Sequence, residues 1–261
     1  MDRITINVAT CQRDGMCAAV CPSGCIEMGA DGLPARVPDA VCIACGHCVA
    51  VCPHGAFANS RVDAAKTRPV PKRMPEAEAV RGLMLSRRSI RAYKDTPVTP
   101  ETMTWLLDTA RCAPTAVNTQ KVFWIACLDP AKTRSVAALC IEWLRRSNYS
   151  ARMVEMWDRQ GQDTALRGAP AFAAAYSPAD DAWGAVDCAI ALTYMELAAA
   201  SAGLGACFAG LLTTAAREMP ALAALLDVPE GHVVHGGLML GYPKYRYRLI
   251  PPRNEAYVRW M

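Results

Sequence analysis

The stretch Ser86-Arg87-Arg88-Ser89-Ile90-Arg91-Ala92-Tyr93 decides how the larger part of this chain is read. Arg87, Ser89 and Arg91 stand at alternating positions. A guanidinium presents a planar fork of donors matched to phosphate oxygens, and a serine hydroxyl between two such forks adds another donor. A basic run alone is more often a solvated face. This one gains weight from three further elements nearer the C-terminus.

Downstream, Ala113-Pro114-Thr115-Ala116-Val117-Asn118-Thr119-Gln120 leads into an apolar segment, 122–127, that reads as a buried strand. Asn118 and Gln120 lie at the mouth of that strand, where their amides suit the donor and acceptor edge of a flat heterocycle such as flavin. Next comes Gly203-Leu204-Gly205-Ala206-Cys207-Phe208-Ala209-Gly210. Its glycines permit close backbone approach to a flat ring, and the bland reading is a helix cap and turn. It does not have the dinucleotide-binding Gly-x-Gly-x-x-Gly spacing. Last is Gly241-Tyr242-Pro243-Lys244-Tyr245-Arg246-Tyr247-Arg248, a basic stretch in an extended tail.

Together and in this order, the Arg-Arg-Ser-x-Arg, Ala-Pro-Thr-x-x-Asn-x-Gln, Gly-Leu-Gly and Gly-Tyr-Pro elements resemble the nitroreductase-like flavoproteins over residues 78–261. The resemblance implies an α+β fold, FMN as cofactor, and a homodimer with two flavins at the subunit interface. It places Arg87, Ser89 and Arg91 on the FMN phosphate and ribityl side, with Arg88 a neighbour. Pro114, Thr115, Asn118 and Gln120 are placed along the isoalloxazine, and Ala209 and Gly210 offer it backbone. Arg246 and Arg248 complete the phosphate site, with Lys244 as the runner-up. The family often carries an acidic residue before the glycine matched by Gly210, and Ala209 departs from that. No residue reads as a dedicated acid–base catalyst, so the flavin supplies the chemistry.

The first 60 residues have a different character. Of 13 cysteines, eight lie between Cys11 and Cys52. The run Cys42-Ile-Ala-Cys45-Gly-His-Cys48-Val-Ala-Val-Cys52-Pro53 has the two-cluster bacterial ferredoxin spacing. An earlier half echoes it: Cys11-Gln-Arg-Asp14-Gly-Met-Cys17-Ala-Ala-Val-Cys21-Pro22. Asp14 stands there in place of a cysteine. By the crossed-ligand rule, Cys42, Cys45, Cys48 and Cys21 hold one [4Fe–4S] cluster, and Cys11, Cys17 and Cys52 the other. Asp14 is either a fourth, harder ligand or a turn residue, and the second site either [4Fe–4S] or [3Fe–4S]. Cys25 is a spare. These residues resemble bacterial two-cluster ferredoxins, which implies a small βαββαβ domain for one-electron transfer. Zinc is the weaker alternative, since it pairs two short Cys-x-x-Cys units.

The expected organisation is therefore an iron–sulfur domain at 1–60, a Pro-containing linker at 61–77 and an FMN domain at 78–261. Residues 61–91 carry nine Lys/Arg against three Asp/Glu. They read equally as a docking stretch or as a solvated linker. Thr99-Pro100-Glu101 signals a helix start, followed by Met103, Leu106, Leu107 and Ala110 at helical spacing. Segments 131–147 and 182–202 also read as helices, and 171–176 and 233–240 as buried strands. His232 and His235 read as satisfied structural residues, and the five later cysteines as core.

A hydrophobic fraction of 52% supports a real core, and a net charge of +4 does not argue for nucleic acid. The uncharged run 197–216 is broken by glycines and reads as a buried helix and loop rather than a membrane span. The N-terminus has no signal-peptide pattern, so a reducing cytoplasm is expected. The expected flow is from an external donor (reduced ferredoxin, flavodoxin or NAD(P)H) through the clusters to FMN. From there electrons reach a nitroaromatic or other electron-poor organic acceptor. Two alternatives stand beside it: an NAD(P)H-oxidising flavoenzyme sending electrons outward through the clusters, and a non-catalytic carrier or redox sensor.

Overall fold

A computed structural model describes residues 4–261. They form two compact units. One runs up to Met74 and includes Ala116–Thr119; the other comprises Pro75–Thr115 and Gln120–Met261.

The first unit has the element order β1 (Ile4–Ile6), α1 (Met16–Ala19), β2 (Ile26–Met28), β3 (Pro34–Arg36), α2 (His47–Val51), β4 (Phe57–Asn59). β1 pairs with β4 and β2 with β3, both antiparallel. The internal repeat shows in the backbone: each short helix follows a left-handed glycine, Gly15 at φ 74° and Gly46 at φ 75°. Only glycine takes that conformation without steric cost. Cys17, Ile26, Cys48 and Phe57 form the small core.

Here the expectation of two iron–sulfur clusters is corrected. Among the described residues, no group of three or more His, Cys, Asp or Glu side chains is arranged to hold a metal ion. Cys21, Cys42, Cys45 and Cys48 border one cavity of about 20 Å³, and Cys11, Asp14, Cys17 and Cys52 another of about 10 Å³. Each has room for roughly one water. The sulfurs have local partners. Cys42 Sγ accepts from Ala44 N and Asn59 Nδ2, Cys21 Sγ from Cys25 N, and Cys52 Sγ from Ala56 N. Burial pushes the thiols of Cys17 and Cys25 up, and that of Cys48 to about 11. Asp14 accepts from Met16 N at 3.1 Å, which makes it the turn residue of the two readings. This arrangement supports neither a cluster-bearing ferredoxin fold nor electron relay through it.

The second unit is built on a four-stranded antiparallel sheet. Its elements are α3 (Ala77–Ser86), α4 (Pro100–Ala110), β5 (Phe123–Cys127), α5 (Pro130–Ser147), α6 (Ala151–Gln160), β6 (Ala171–Pro178), α7 (Gly184–Ser201), β7 (Gly205–Phe208), α8 (Gly210–Glu218), α9 (Pro220–Leu225) and β8 (His232–Gly241). The strand order is β5-β6-β8-β7. α4 starts where the cap signal predicts: Thr99 Oγ1 accepts from Thr102 N, Pro100 occupies the first turn, and Met103, Leu106 and Ala110 are buried.

Side chains alternate across the sheet. Phe172 and Ala174 of β6 face the layer containing α5, α8 and α9; Ala171, Ala173 and Ala175 face α4 and α7. A strand covered on both faces reads as a continuous apolar run, which is why β6 is so rich in alanine. α7 has apolar residues almost all round; nine of its eighteen residues are buried, while Val186 and Tyr194 are exposed. The uncharged run 197–216 resolves into the end of α7, β7 and the start of α8. No helix of the described residues is long and apolar enough to cross a membrane.

β7, α3, α6, α8 and α9 go beyond the elements expected from the sequence. β7 lies in the glycine-rich segment read as a turn, and it is a strand because β8 pairs with it from Gly205↔Gly241 to Phe208↔Leu238. Alongside β7, Ser89 makes a parallel bridge to Ala206, and Ile90 N donates to Ala206 O at 2.9 Å. This close approach requires Gly205: a Cβ there would lie 2.6 Å from the Ile90 side chain.

Two expectations about buried groups change. Cys140, Cys188 and Cys207 are core residues, but Cys112 is exposed beyond the end of α4 and Cys127 is half-buried. His235 is not fully satisfied. Its Nδ1 meets Arg217 Nη2 at 3.3 Å, while its Nε2 and Asp181 Oδ2 are buried with no hydrogen-bond partner.

Gly205→Ala is expected to lower stability by ~1–3 kcal/mol through overpacking against Ile90, measured by denaturant unfolding; an unchanged midpoint would contradict the close approach. His235 is held below the ordinary histidine value of 6.5 by burial and by Arg217, with Asp181 opposing. The unfolded chain therefore binds its proton more readily, and stability is lost as pH falls from 6.5 toward the lowered folded value. His235→Gln should flatten the Tm–pH curve in that window relative to the wild type, and parallel curves would refute the assignment.

Candidate active site

A cavity of about 780 Å³ opens in the second unit. Four pieces of chain build its wall. The end of α3 contributes Leu83 and Ser86, and the stretch after it contributes Arg87, Arg88, Ile90 and Lys94. α7 and the segment following it contribute Glu196, Ala200, Gly203, Leu204 and Ala206. The tail after β8 contributes Tyr242 through Tyr247. The tail is held by backbone pairing with the arginine stretch: Lys94 N donates to Tyr242 O at 2.8 Å and Lys244 N to Ala92 O at 2.9 Å. Two segments about 150 residues apart in sequence are thereby brought to one wall.

The wall is basic. Arg87, Arg88, Lys94, Lys244 and Arg246 line it against one acid, Glu196. Arg87 Nη1 donates to Glu196 Oε1 at 2.9 Å, and the Glu196 side chain is only 7% exposed. Burial pushes the Glu196 carboxyl up, and the Arg87 guanidinium opposes that shift. Arg88 Nη1 donates to the Arg87 carbonyl at 2.6 Å, while Arg88 Nε is buried without a partner. A donor left unpaired at a cavity wall is suited to an anionic ligand.

Of the residues singled out in the sequence, Arg87, Arg88 and Arg246 line this cavity, and so does the runner-up Lys244. Ser89 and Arg91 do not. Arg91 Nη1 donates to Ser89 O, and the Ser89 hydroxyl and Arg91 lie beside the buried thiol of Cys207, lowering a pKa that burial raises. Arg248 is exposed beyond the lining residues. Ala209 is buried, with its N–H on Gly237 O at 2.8 Å, and Gly210 opens α8; neither borders the cavity.

The loop read as a ring contact is also outside the wall. Pro114 and Gln120 are exposed, and Thr115 Oγ1 accepts from Gln120 N at 2.9 Å, closing the loop on itself. Asn118 belongs to the first unit, where its Nδ2 donates to Ile43 O and Ala44 O, each at 3.1 Å. Val117, Asn118 and Gln120 have φ of 43°, 55° and 52°, unusual for residues other than glycine. Lys94 and Glu196 join the wall without a motif to announce them. Lys94 follows the quoted arginine stretch by one residue, whereas Glu196, one of two buried acids of an otherwise apolar helix with Asp187, carries only the signal of an acid that would not be buried unpaired.

Comparison with known proteins identifies the family and the fold. Residues 84–242 match the nitroreductase family. Residues 3–53 match a 4Fe-4S dicluster domain, a likeness of sequence to which the side-chain arrangement of the first unit does not add a metal site. An Archaeoglobus fulgidus protein, provisionally described as an NADH dehydrogenase/NAD(P)H nitroreductase, is 31% identical over 62% of this chain and 84% of its own length. The Bacillus subtilis FMN reductase [NAD(P)H] is 28% identical over 62% of this chain, which spans 65% of that relative. Among solved structures, the FMN-bound nitroreductase of Bacteroides fragilis superposes with a TM-score of 0.58 at 24% identity. It covers 70% of this chain and 97% of its own. That of Desulfitobacterium hafniense gives 0.59 at 20%, over 69% and 98%. The chain belongs to the nitroreductase family and is an FMN-dependent oxidoreductase whose redox partner is a small organic molecule.

Proposed function

We propose that the basic cavity of the second unit binds FMN with its phosphate on Arg88, Lys244 and Arg246. The single observation that carries this is the buried, unpartnered Arg88 Nε in a wall with five cations and one acid. A volume of about 780 Å³ suits a cofactor of that size. Leu83, Ile90, Leu204 and Ala206 give the same wall an apolar surface for the rest of the molecule.

FMN, when bound, takes up two electrons with a proton and hands them to the acceptor. The chain's own part is to hold and orient. Arg88 and the two tail cations fix the phosphate end, and positive charge around the cavity favours any anionic form of the cofactor. We take NAD(P)H as the donor, the pairing printed in the names of both curated relatives, and an electron-poor organic compound, such as a nitroaromatic, as the acceptor. A homodimer belongs to the same proposal. Pro114, Thr115 and Gln120 lie outside the cavity wall of their own chain, so ring contacts from them require a second copy. The exposed Leu249, Tyr257 and Trp260 of the tail are apolar surface for such a contact.

FMN should bind at least about tenfold more tightly than riboflavin, read by fluorescence quenching. Arg88→Ala should reduce that preference by about 10- to 100-fold, the worth of a charge-assisted hydrogen bond. Equal affinity for the two flavins would refute the phosphate site. In anaerobic mixing, NADH or NADPH should bleach the bound flavin, and a nitroaromatic should restore its colour. If neither nucleotide bleaches it, the donor assignment is wrong.

A further inference from the structure

Beside the FMN cavity lies a second, shallower groove of about 330 Å³, lined by Glu101, Thr102, Trp105, Ala202, Leu204 and Tyr242. Leu204 and Tyr242 border both spaces, so a ligand lying in the groove runs on into the cavity. The chemistry of the groove comes from α4. Glu101 and Trp105 are four residues apart and share one face of that helix. Met103, Leu106 and Ala110 carry the packing of α4, while Trp105 stays 48% exposed. An indole this open, in a groove also lined by the half-buried Tyr242, is a stacking surface for a flat ring. Glu101 is exposed, and its own N–H and the Thr99 hydroxyl hold its carboxyl below the usual range. The carboxylate is therefore ionised, and its two oxygens can accept more than those helix-end contacts supply. As parts of α4 alone, Glu101 complements the helix start and Trp105 covers its surface. Neither role needs a hollow continuous with the cofactor cavity. On the cavity side, Lys94 is tied to Tyr242 by its backbone N–H at 2.8 Å, and it is not one of the three cations assigned to the FMN phosphate.

We propose that this groove seats the adenosine half of the dinucleotide donor: the adenine on the Trp105 indole, the ribose hydroxyls on the Glu101 carboxylate, and the pyrophosphate toward Lys94. This rests on the FMN and NAD(P)H reading above and narrows the donor to NADH. A carboxylate accepts from a free ribose 2′-hydroxyl and repels a 2′-phosphate. The basic cavity wall by itself makes the opposite prediction, since it would favour the more anionic NADPH. The preference between the two nucleotides therefore reports on the groove.

The test is calorimetric binding of ADP-ribose and of its 2′-phosphate to the FMN-loaded protein, in the wild type, W105A and E101Q. The wild type should bind ADP-ribose at least about tenfold more tightly than the 2′-phosphate. W105A should weaken ADP-ribose about 5- to 100-fold, the worth of a base–aromatic stack. E101Q should bring the two ligands within about threefold of each other. Flavin reduction supplies a second readout. Both variants should slow reduction by subsaturating NADH, and should leave reduction by reduced nicotinamide mononucleotide, which lacks the adenosine, within about twofold of the wild type. If W105A unfolds below the assay temperature, W105L carries the test, because it keeps apolar bulk and removes the ring face; the same loss is expected, with wild-type affinity as the overturning result. No binding of ADP-ribose by the wild type, or a 2′-phosphate bound equally or more tightly, would overturn the proposal. Bleaching by NADH with variants indistinguishable from the wild type overturns the groove alone. If NADH, NADPH and the mononucleotide all fail to bleach the flavin, the donor reading falls and the groove with it.

Discussion

The contact of Ile90 with Gly205 is the constraint on which the cavity depends. With no Cβ on Gly205, the arginine stretch lies flat beside β7 and adds a bridge at the open edge of the sheet. Tyr93 then closes the turn through its hydroxyl on the Ile90 carbonyl at 2.6 Å and pairs with Pro243. The tail is drawn in behind it. Each step is backbone hydrogen bonding or steric fit, and together they deliver Arg88, Lys244 and Arg246 to one wall. A side chain on the glycine would press on Ile90 and push the stretch away from the edge strand.

The sheet makes this edge rigid enough to matter. β6 and β8 are its centre, covered by α4 and α7 on one face and by α5, α8 and α9 on the other. Small residues let the layers close: a Cβ on Gly236 would lie 2.5 Å from Leu192 Cδ1. Against that scaffold a partly buried ion pair can hold geometry that a surface pair would not, because both partners are immobilised by packing before they meet. The first unit makes a contrast. Its thiols surround spaces the size of a water and are partnered by nearby backbone and amide donors. Their spacing in sequence is met by local hydrogen bonding and burial in the folded chain.

The two units are legible in the sequence to different depths. Local signals predict α4, α5 and α7 and the apolar strands β5, β6 and β8, because periodicity and caps are written in neighbouring residues. β7 escapes such signals because glycine-rich sequence has no strand preference of its own; its partner β8 makes it a strand. α6 leaves a trace in Met153, Val154 and Trp157 at helical spacing behind Ser150. Asn118 reads as a ring contact, yet its amide nitrogen donates to the carbonyls of Ile43 and Ala44.

By itself the amino-acid order determined the family, the order of its four motifs and the type of cofactor, since these depend on residue kinds at short spacings. Only the tertiary structure decided which cations face the cavity. Arg87, Arg88 and Arg91 are near neighbours of one chemical type, and what distinguishes them is nonlocal: a carboxylate from α7 for Arg87, an unpaired buried nitrogen for Arg88, a place beside the Cys207 thiol for Arg91. Hydrogen-bond partners are assigned by packing, and packing brings together residues more than a hundred positions apart.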